Sequence, residues 1–327
     1  MCNGNHLRIL LLGGTGFLGR AITAAAVTRG HEITCLARGN GEILDGTVFV
    51  QADRDDDNTL AAVSDQSWDA VIDLTRHPVH ARRAVRDLSA QHWVYVSTSS
   101  VYIRGDVLEQ DETGPVVDAL DSDFLTDMSL YGAAKVACEN VYREHRASHT
   151  IIRSGLIGGN GDHTGRTGYY PWRFAHASGE DVLVPDPTFP VAMIDVEDLA
   201  AWIIACAEQQ HYGTFNATGN TTTLSEVLDL SQKITGSGAV PYVVSNEVLD
   251  AHGIGSWMGP KSLPLWVNDP RFRYVATLDT TAARKHGLTL RPLRDTLAAA
   301  LEYEEHRQQP RLAGLSDEEE EQLRQGI

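Results

Sequence analysis

Several residue types and patterns are scarce in this 327-residue chain, and each scarcity excludes something. The four cysteines, Cys2, Cys35, Cys138 and Cys206, are too few and too scattered for a zinc pattern or a disulfide framework, so a reduced, cytoplasmic protein is expected. No segment reaches the roughly 18 apolar residues of a membrane span. The polar start Met1-Cys2-Asn3-Gly4-Asn5-His6 lacks the apolar core of a signal peptide. Positive charge is in deficit: Lys and Arg number 27 against 44 Asp and Glu, for a net charge of −17. That balance opposes general attraction to nucleic acid or an anionic membrane. Histidine is plentiful, but His77, His80 and the rest fall into no metal-binding spacing, and no metal is assigned. With 42% hydrophobic and 22% charged residues, the chain is long enough for one large or two unequal domains.

The stretch that organises the chain lies near its start. Leu7-Arg8-Ile9-Leu10-Leu11-Leu12 is short, nearly continuously apolar and stopped by glycines, the pattern of a strand buried on both faces. Gly13-Gly14-Thr15-Gly16-Phe17-Leu18-Gly19 follows. Leu18, Ile22, Ala25 and Ala26 then recur at helical spacing until Gly30 ends the helix. In this strand–turn–helix unit Gly13 permits the tight turn, Gly16 lets backbone approach a pyrophosphate, and Gly19 lets helix and strand pack closely. Free N–H groups and the helix dipole supply the positive end, with Thr15, Phe17 and Leu18 beside it.

Further strands are expected at Ile33–Ala37, Val48–Val50, Ala70–Ile72 and Trp93–Val96, with Leu74 and Thr75 lining a cofactor trough. The rhythm predicts an α/β fold with a doubly wound parallel sheet. Where an acid would bind the ribose 2′-hydroxyl of NAD, the chain has Ala37 followed by Arg38. A guanidinium fork suits a 2′-phosphate, so NADP is the expected cofactor and NAD the alternative.

Chemistry is expected from two stretches, Ser97-Thr98-Ser99-Ser100-Val101-Tyr102 and Tyr131-Gly132-Ala133-Ala134-Lys135. On a helix the second places Tyr131 and Lys135 on one face. Tyrosine titrates at about 10 in isolation. A nearby ammonium and the positive ring of an oxidised nicotinamide bring it towards working pH.

Taken in order, the Gly-x-x-Gly-x-x-Gly turn, the serine-rich strand end and Tyr-x-x-x-Lys resemble the short-chain dehydrogenase/reductase superfamily, specifically its extended, epimerase/dehydratase branch. Val196-Glu197-Asp198-Leu199-Ala200, Phe215-Asn216-Ala217-Thr218-Gly219 and Leu278 through Leu293 resemble later landmarks, so the resemblance runs from about residue 7 to 305. It implies a Rossmann core over residues 1–155, a smaller substrate-binding lid over 156–315 interleaved with late Rossmann elements, and an acidic tail over 316–327. It further implies Asp53 near the adenine amino group, Thr98 on the substrate oxygen with Ser99 and Ser100 in reserve, and a homodimer. Two departures stand out. Phe189-Pro190-Val191-Ala192-Met193 lacks the arginine with which similar sugar-nucleotide enzymes grip a diphosphate, and Ser99 and Ser100 replace the acid pair of dehydratases.

On the substrate side, Gly158–Arg166 reads as a flexible closing loop in which Asp162, His163 and Arg166 are candidate polar contacts. Tyr169, Tyr170 and Trp172 form one candidate aromatic wall, and Trp257 to Trp266 another. The loop from Arg104 to Leu130 carries Asp106, Glu109, Asp111, Glu112, Asp118, Asp121, Asp123 and Asp127, a rim that favours neutral or cationic substrates if it is not merely solvated. Ser316-Asp317-Glu318-Glu319 has the form of a capping box. The expected function is hydride transfer between NADP(H) and a secondary alcohol or ketone of a neutral, polar small molecule. An epimerase or dehydratase using the cofactor transiently is the first alternative, and a dinucleotide-sensing or RNA-associated binding protein the second.

Overall fold

Neighbouring residues of β1 (Arg8–Leu12) serve different cores: Ile9 and Leu11 pack on one face, Leu10 and Leu12 on the other. Side chains alternate across a strand, so a sheet covered on both faces needs the continuous apolar run read from the sequence. The computed structural model describes residues 6–39, 43–145 and 147–327; Cys2 and most of the polar start lie outside the described residues. After β1 come α1 (Phe17–Thr28), β2 (Glu32–Ala37), β3 (Thr47–Gln51), α2 (Ala61–Ser64), β4 (Ser67–Asp73), α3 (Pro78–Asp87) and β5 (Ser89–Thr98). The chain continues through α4 (Tyr131–Glu144), β6 (Ser148–Ser154), β7 (Leu156–Gly158), α5 (Tyr169–Ala175), β8 (Asp181–Val184), β9 (Pro190–Val191), β10 (Met193–Asp195), α6 (Val196–Gln209) and β11 (Gly213–Ala217).

The main sheet is seven-stranded and wholly parallel, in the order β11-β6-β5-β4-β1-β2-β3. The five strands expected from sequence are present. The sixth and seventh, β6 and β11, carry Ser148, His149, Thr150, Arg153 and Asn216 among their apolar residues, which hides them from a hydropathy reading. Helices α1 and α6 pack together on one face, α3 and α4 on the other. Strand order reverses between β1 and β4, and the crevice beyond their carboxyl ends is the place where open α/β sheets bind ligands.

A separate core is formed by the second half of the chain. Tyr169, Tyr170, Phe174, Leu183, Val227, Leu249, Trp266 and Leu297 belong to it, drawn from α5, β8, α7 (Leu224–Thr235), α8 (Asn246–Ala251) and α10 (Leu293–Glu305) with α9 (Thr281–Lys285) between the last two. The acidic tail forms α11 (Asp317–Arg324), begun by the Ser316/Glu319 capping box. It is held to α5 by the buried Arg173 guanidinium, 2.7 Å from Asp317 and 3.0 Å from Glu320.

Beneath the crevice lies a buried polar network. Asp73, wholly enclosed at the end of β4, accepts hydrogen bonds from Arg54 Nη1 (2.6 Å) and Nη2 (2.9 Å), Tyr142 Oη (2.6 Å) and the Thr75 N–H (2.8 Å). Burial alone would raise its carboxyl, but the Arg54 ion pair and these donors hold it below the usual carboxylate range. Removing one partner strands the other. Asp73→Ala is expected to cost about 3–5 kcal/mol, read as a lower urea midpoint, because it leaves the Arg54 guanidinium buried without its counter-charge.

Two buried histidines make stability depend on pH. His80 lies between Asp55 Oδ1 (2.8 Å) and Thr75 Oγ1 (3.2 Å), and His92 between the hydroxyls of Ser148 (2.9 Å) and Thr150 (2.8 Å). Burial pulls each down to about 4, with Arg54 assisting at His80 and His149 at His92. The unfolded chain takes up these protons near pH 6.5, roughly, while the folded chain does not. The contribution is therefore complete above that pH and lost as pH falls towards about 4. Urea midpoints are expected to decline across this window, and His92→Gln to flatten part of the decline.

Candidate active site

The turn between β1 and α1 has the geometry of a backbone anion cradle. Gly13 has φ +113°, which only glycine adopts freely. A Cβ on Gly14 would lie 2.6 Å from Cys35 Sγ, and one on Gly19 would lie 2.2 Å from the Gly13 carbonyl oxygen, so both glycines are required by packing. Gly16 differs: a Cβ there would meet nothing within 4 Å. It is also the N-cap of α1 and has no side-chain cap, leaving the first-turn N–H groups without a side-chain acceptor. Open space before uncapped N–H groups is what a pyrophosphate requires, so the residues present fit a dinucleotide. Gly14 is the packing glycine that sequence reasoning passed over, because the Cys35 thiol beneath it lies on another strand.

The remaining expected cofactor residues surround this turn. Leu74 packs against Gly13, where an added Cβ would lie 3.4 Å from the leucine Cβ. Thr15, Phe17 and Leu18 are half-buried at the head of α1. Thr75 is a structural hub: its hydroxyl meets His80 and receives the His77 N–H, and its carbonyl accepts from Lys135 Nζ and Tyr95 Oη. Arg38 is exposed at the end of β2, and its guanidinium has no partner among the described residues. Asp53 accepts the Asp55 N–H at 3.1 Å through one oxygen.

At the other end of the crevice β5 runs into a short 3-10 turn, Ser99–Val101, capped by Thr98. Thr98 Oγ1 accepts the Ser100 N–H at 3.2 Å and donates to Ser100 Oγ at 3.3 Å. Helix α4 begins against this turn. A Cβ on Gly132 would lie 2.1 Å from the Ser100 carbonyl oxygen, so the small residue after Tyr131 lets the helix head approach the strand end. The head of α4, which begins at Tyr131, is thereby seated against the Thr98-capped strand end, and Thr98 acts to lower the Tyr131 phenol. Burial nonetheless raises the Tyr131 phenol above its ordinary value, and the cations opposing burial are Arg76 and Arg166.

Lys135 follows one turn later and points beneath the site. Its Nζ donates to the carbonyls of Val96 (2.6 Å) and Thr75 (2.7 Å) and stands 4.4 Å from the Tyr95 ring centre. Burial lowers it to about 8, against support from Cys138, Asp73 and Glu139. Behind it, Glu139 takes Ser97 Oγ (2.6 Å), Arg153 Nη2 (2.9 Å) and Arg143 Nη2 (2.6 Å), locking α4 to β5 and β6.

The substrate side departs from expectation. The glycine-rich loop is tied down: Asp162 is buried and accepts hydrogen bonds from the N–H and hydroxyl groups of both Thr164 and Thr167. Arg307 binds the carbonyls of Asp162 (2.7 Å) and His163 (3.0 Å). The His163 ring lies edge-on to Phe17, at 6.4 Å, so the loop reaches over the head of α1. Tyr169 is not brought to the site. It is 1% exposed and packs edge-on against Tyr170, because α5 is enclosed by α7, α10 and Gly314. Ser99 is half-buried and Ser100 exposed beside Thr98. Arg76 was missed by sequence reasoning, although a charged residue three past the end of a switch-point strand is a usable signal.

Residues 9–218 match the NAD dependent epimerase/dehydratase family. Among solved structures, the chain is similar to UDP-glucose 4-epimerase from Thermotoga maritima, with TM-score 0.66 and 17% identity over 91% of this chain and 99% of that one. It is also similar to the Bordetella bronchiseptica enzyme WbmG in complex with NAD, with TM-score 0.67 and 18% identity over 94% and 96%. At these identities the likeness is one of fold. Among curated proteins it is similar to the chloroplast stem-loop binding protein of 41 kDa b from Arabidopsis thaliana, 23% identical over 247 residues. That match covers 68% of this chain and 58% of the relative, so the chain spans little more than half of that protein's length. No helix among the described residues is long and apolar enough to cross a membrane. With the uncapped glycine cradle at one end of its crevice, the Thr98/Tyr131 pair at the other and a family match covering well over half its length, the chain belongs to the NAD dependent epimerase/dehydratase family.

Proposed function

We propose that the protein is an NADP-dependent oxidoreductase of the extended short-chain type, acting on a secondary alcohol or ketone of a polar small molecule. The observation that supports this reading is the packing of the head of α4, which begins at Tyr131, against the Thr98-capped strand end, with the buried Lys135 ammonium donating to the Val96 and Thr75 carbonyls one turn later. The cradle of Gly13, Gly16 and Gly19 holds the pyrophosphate, Arg38 takes the 2′-phosphate, Asp53 faces the adenine, and Leu74 and Thr75 line the trough. When bound, the nicotinamide supplies or accepts the hydride. Thr98 orients the reacting oxygen by hydrogen bonding, and Tyr131 gives or takes its proton. Lys135 lowers the phenol's affinity for that proton and positions the nicotinamide ribose. Ser99 and Ser100 offer further donors to substrate hydroxyls.

Burial that raises the free Tyr131 phenol suits its role as a proton donor in reduction. Tyr131→Phe is expected to lower kcat by about a hundredfold or more while leaving cofactor affinity intact, because one hydroxyl is removed from the acid–base step and none from the cradle. Unchanged turnover would remove Tyr131 from the chemistry. Arg38→Ala is expected to weaken NADPH binding selectively, by about tenfold or more, and to spare NADH, followed by nicotinamide fluorescence. Equal binding of both cofactors by both proteins would remove the NADP assignment.

Epimerisation with transient cofactor use is the second reading, favoured by the UDP-glucose 4-epimerase fold likeness. Cofactor retained through purification, with no net NADPH consumption, distinguishes it. Stem-loop binding of the kind named in the plant relative has less support, given the −17 charge and the complete Thr98, Tyr131 and Lys135 set.

A further inference from the structure

The turn that fits a pyrophosphate is built almost wholly of backbone. From Gly13 to Gly19 the chain has no lysine, arginine or histidine, and Thr15 supplies the sole side-chain donor of that stretch. The first turn of α1 carries no acid and no side-chain cap, and space is open before Gly16. N–H groups and the helix dipole therefore meet an anion from one side.

The segment that approaches this turn from elsewhere in the chain is the glycine-rich loop after β7. Gly161, with φ +94°, sits so close to the head of α1 that a Cβ would lie 3.1 Å from the Phe17 ring. Phe17 is the first residue of that helix. Two residues on, the His163 ring stands edge-on to the Phe17 ring, with centres 6.4 Å apart and planes at 77°.

The backbone under His163 is fixed, and its ring is not. Arg307, itself held by Glu304 at 2.6 Å, donates to the His163 carbonyl at 3.0 Å, and the next carbonyl, of Thr164, accepts the Leu312 N–H at 3.1 Å. The exposed imidazole makes no hydrogen bond or ion pair among the described residues. The other ionisable groups of the loop are engaged. Asp162 accepts four hydrogen bonds from Thr164 and Thr167, and Arg166 turns to Thr164 Oγ1 and to Trp257, whose ring centre is 5.5 Å from its guanidinium carbon. A neutral imidazole always carries one N–H donor, and a protonated one carries two and a positive charge. On an anchored backbone such a donor loses little freedom when it meets an anion.

We propose that His163 closes the glycine cradle from the loop side, donating an imidazole N–H to the cofactor pyrophosphate. It becomes a cofactor-positioning residue, in place of the substrate contact expected from the sequence. The inference rests on the dinucleotide reading of the turn and deepens it: the loop after β7 is tied to the cofactor through one side chain.

The test is equilibrium binding to the full chain freed of nucleotide. The probes are NADPH or NADH, whichever binds more tightly, followed by nicotinamide fluorescence, and the ADP-ribose that matches it, with or without the 2′-phosphate, followed by calorimetry. ADP-ribose carries the pyrophosphate and lacks the nicotinamide. His163→Ala is expected to weaken both probes by a similar factor, about fivefold to tenfold. His163→Gln keeps a donor and is expected to recover part of the loss. His163→Phe keeps a ring against Phe17, removes the donor, and is expected to lose as much as the alanine variant. Parental affinity in His163→Phe would assign the contact to ring packing and overturn the proposal. A loss that ADP-ribose does not share would move His163 to the nicotinamide end and overturn it equally. Parental affinity in every variant removes the histidine's role and leaves the dinucleotide site standing. No binding of any probe by the parent chain overturns both.

Discussion

One buried cation underlies the geometry of the site. An ammonium withdrawn from water costs several kcal/mol, roughly, unless hydrogen bonds and nearby charge compensate it. Lys135 finds that compensation in the carbonyls of Thr75 and Val96, the Tyr95 ring and the fields of Asp73 and Glu139. Thr75 lies just beyond β4 and Val96 near the end of β5, so a single side chain ties α4 to the two strand ends that border the crevice. Tyr131, one helical turn earlier, is thereby held where those ends open.

Two further buried charge networks support that arrangement from below. Asp73 joins the polar loop after β3, through Arg54, to α4 through Tyr142 and to the β4 turn through the Thr75 N–H. Glu139 joins α4 to β5 through Ser97 and to β6 through Arg153. Such pairs contribute little net stability compared with apolar packing, but their directionality fixes helix position along the strands. The crevice thus has a rigid polar floor beneath an open mouth.

The mouth is electrostatically different from what composition suggests. A chain with a net charge of −17 leaves Arg76 and Arg166 without a carboxylate partner among the described residues, because many of its acids serve local structure: caps, turns and ion pairs with nearby arginines. Charge averaged over a sequence governs long-range attraction, whereas a site is governed by which charges are left unpaired at its wall. The lid loop illustrates the same point. Its glycines suggest mobility, yet Asp162 and Arg307 hold it against the head of α1.

The elements read most directly from sequence were those whose signal is local. The buried strands, the glycine turn and the first helix follow from spacing and backbone sterics, and five of the seven sheet strands were readable in this way. The residue types of the Thr98, Tyr131 and Lys135 set, with their order along the chain, were equally readable, and so was the Ser316/Glu319 cap. Strands β6 and β11 were not, since polar residues that pair across strands erase the hydropathy pattern. Tertiary structure alone decided that Tyr169 belongs to the second hydrophobic core, that Asp162 binds its own loop, and that Arg54 pairs with Asp73. It likewise left Arg76 and Arg166 without a carboxylate partner among the described residues. The physical reason is range: sterics and periodicity act within a few residues, while the pairing of a charge depends on which distant segment folding sets beside it.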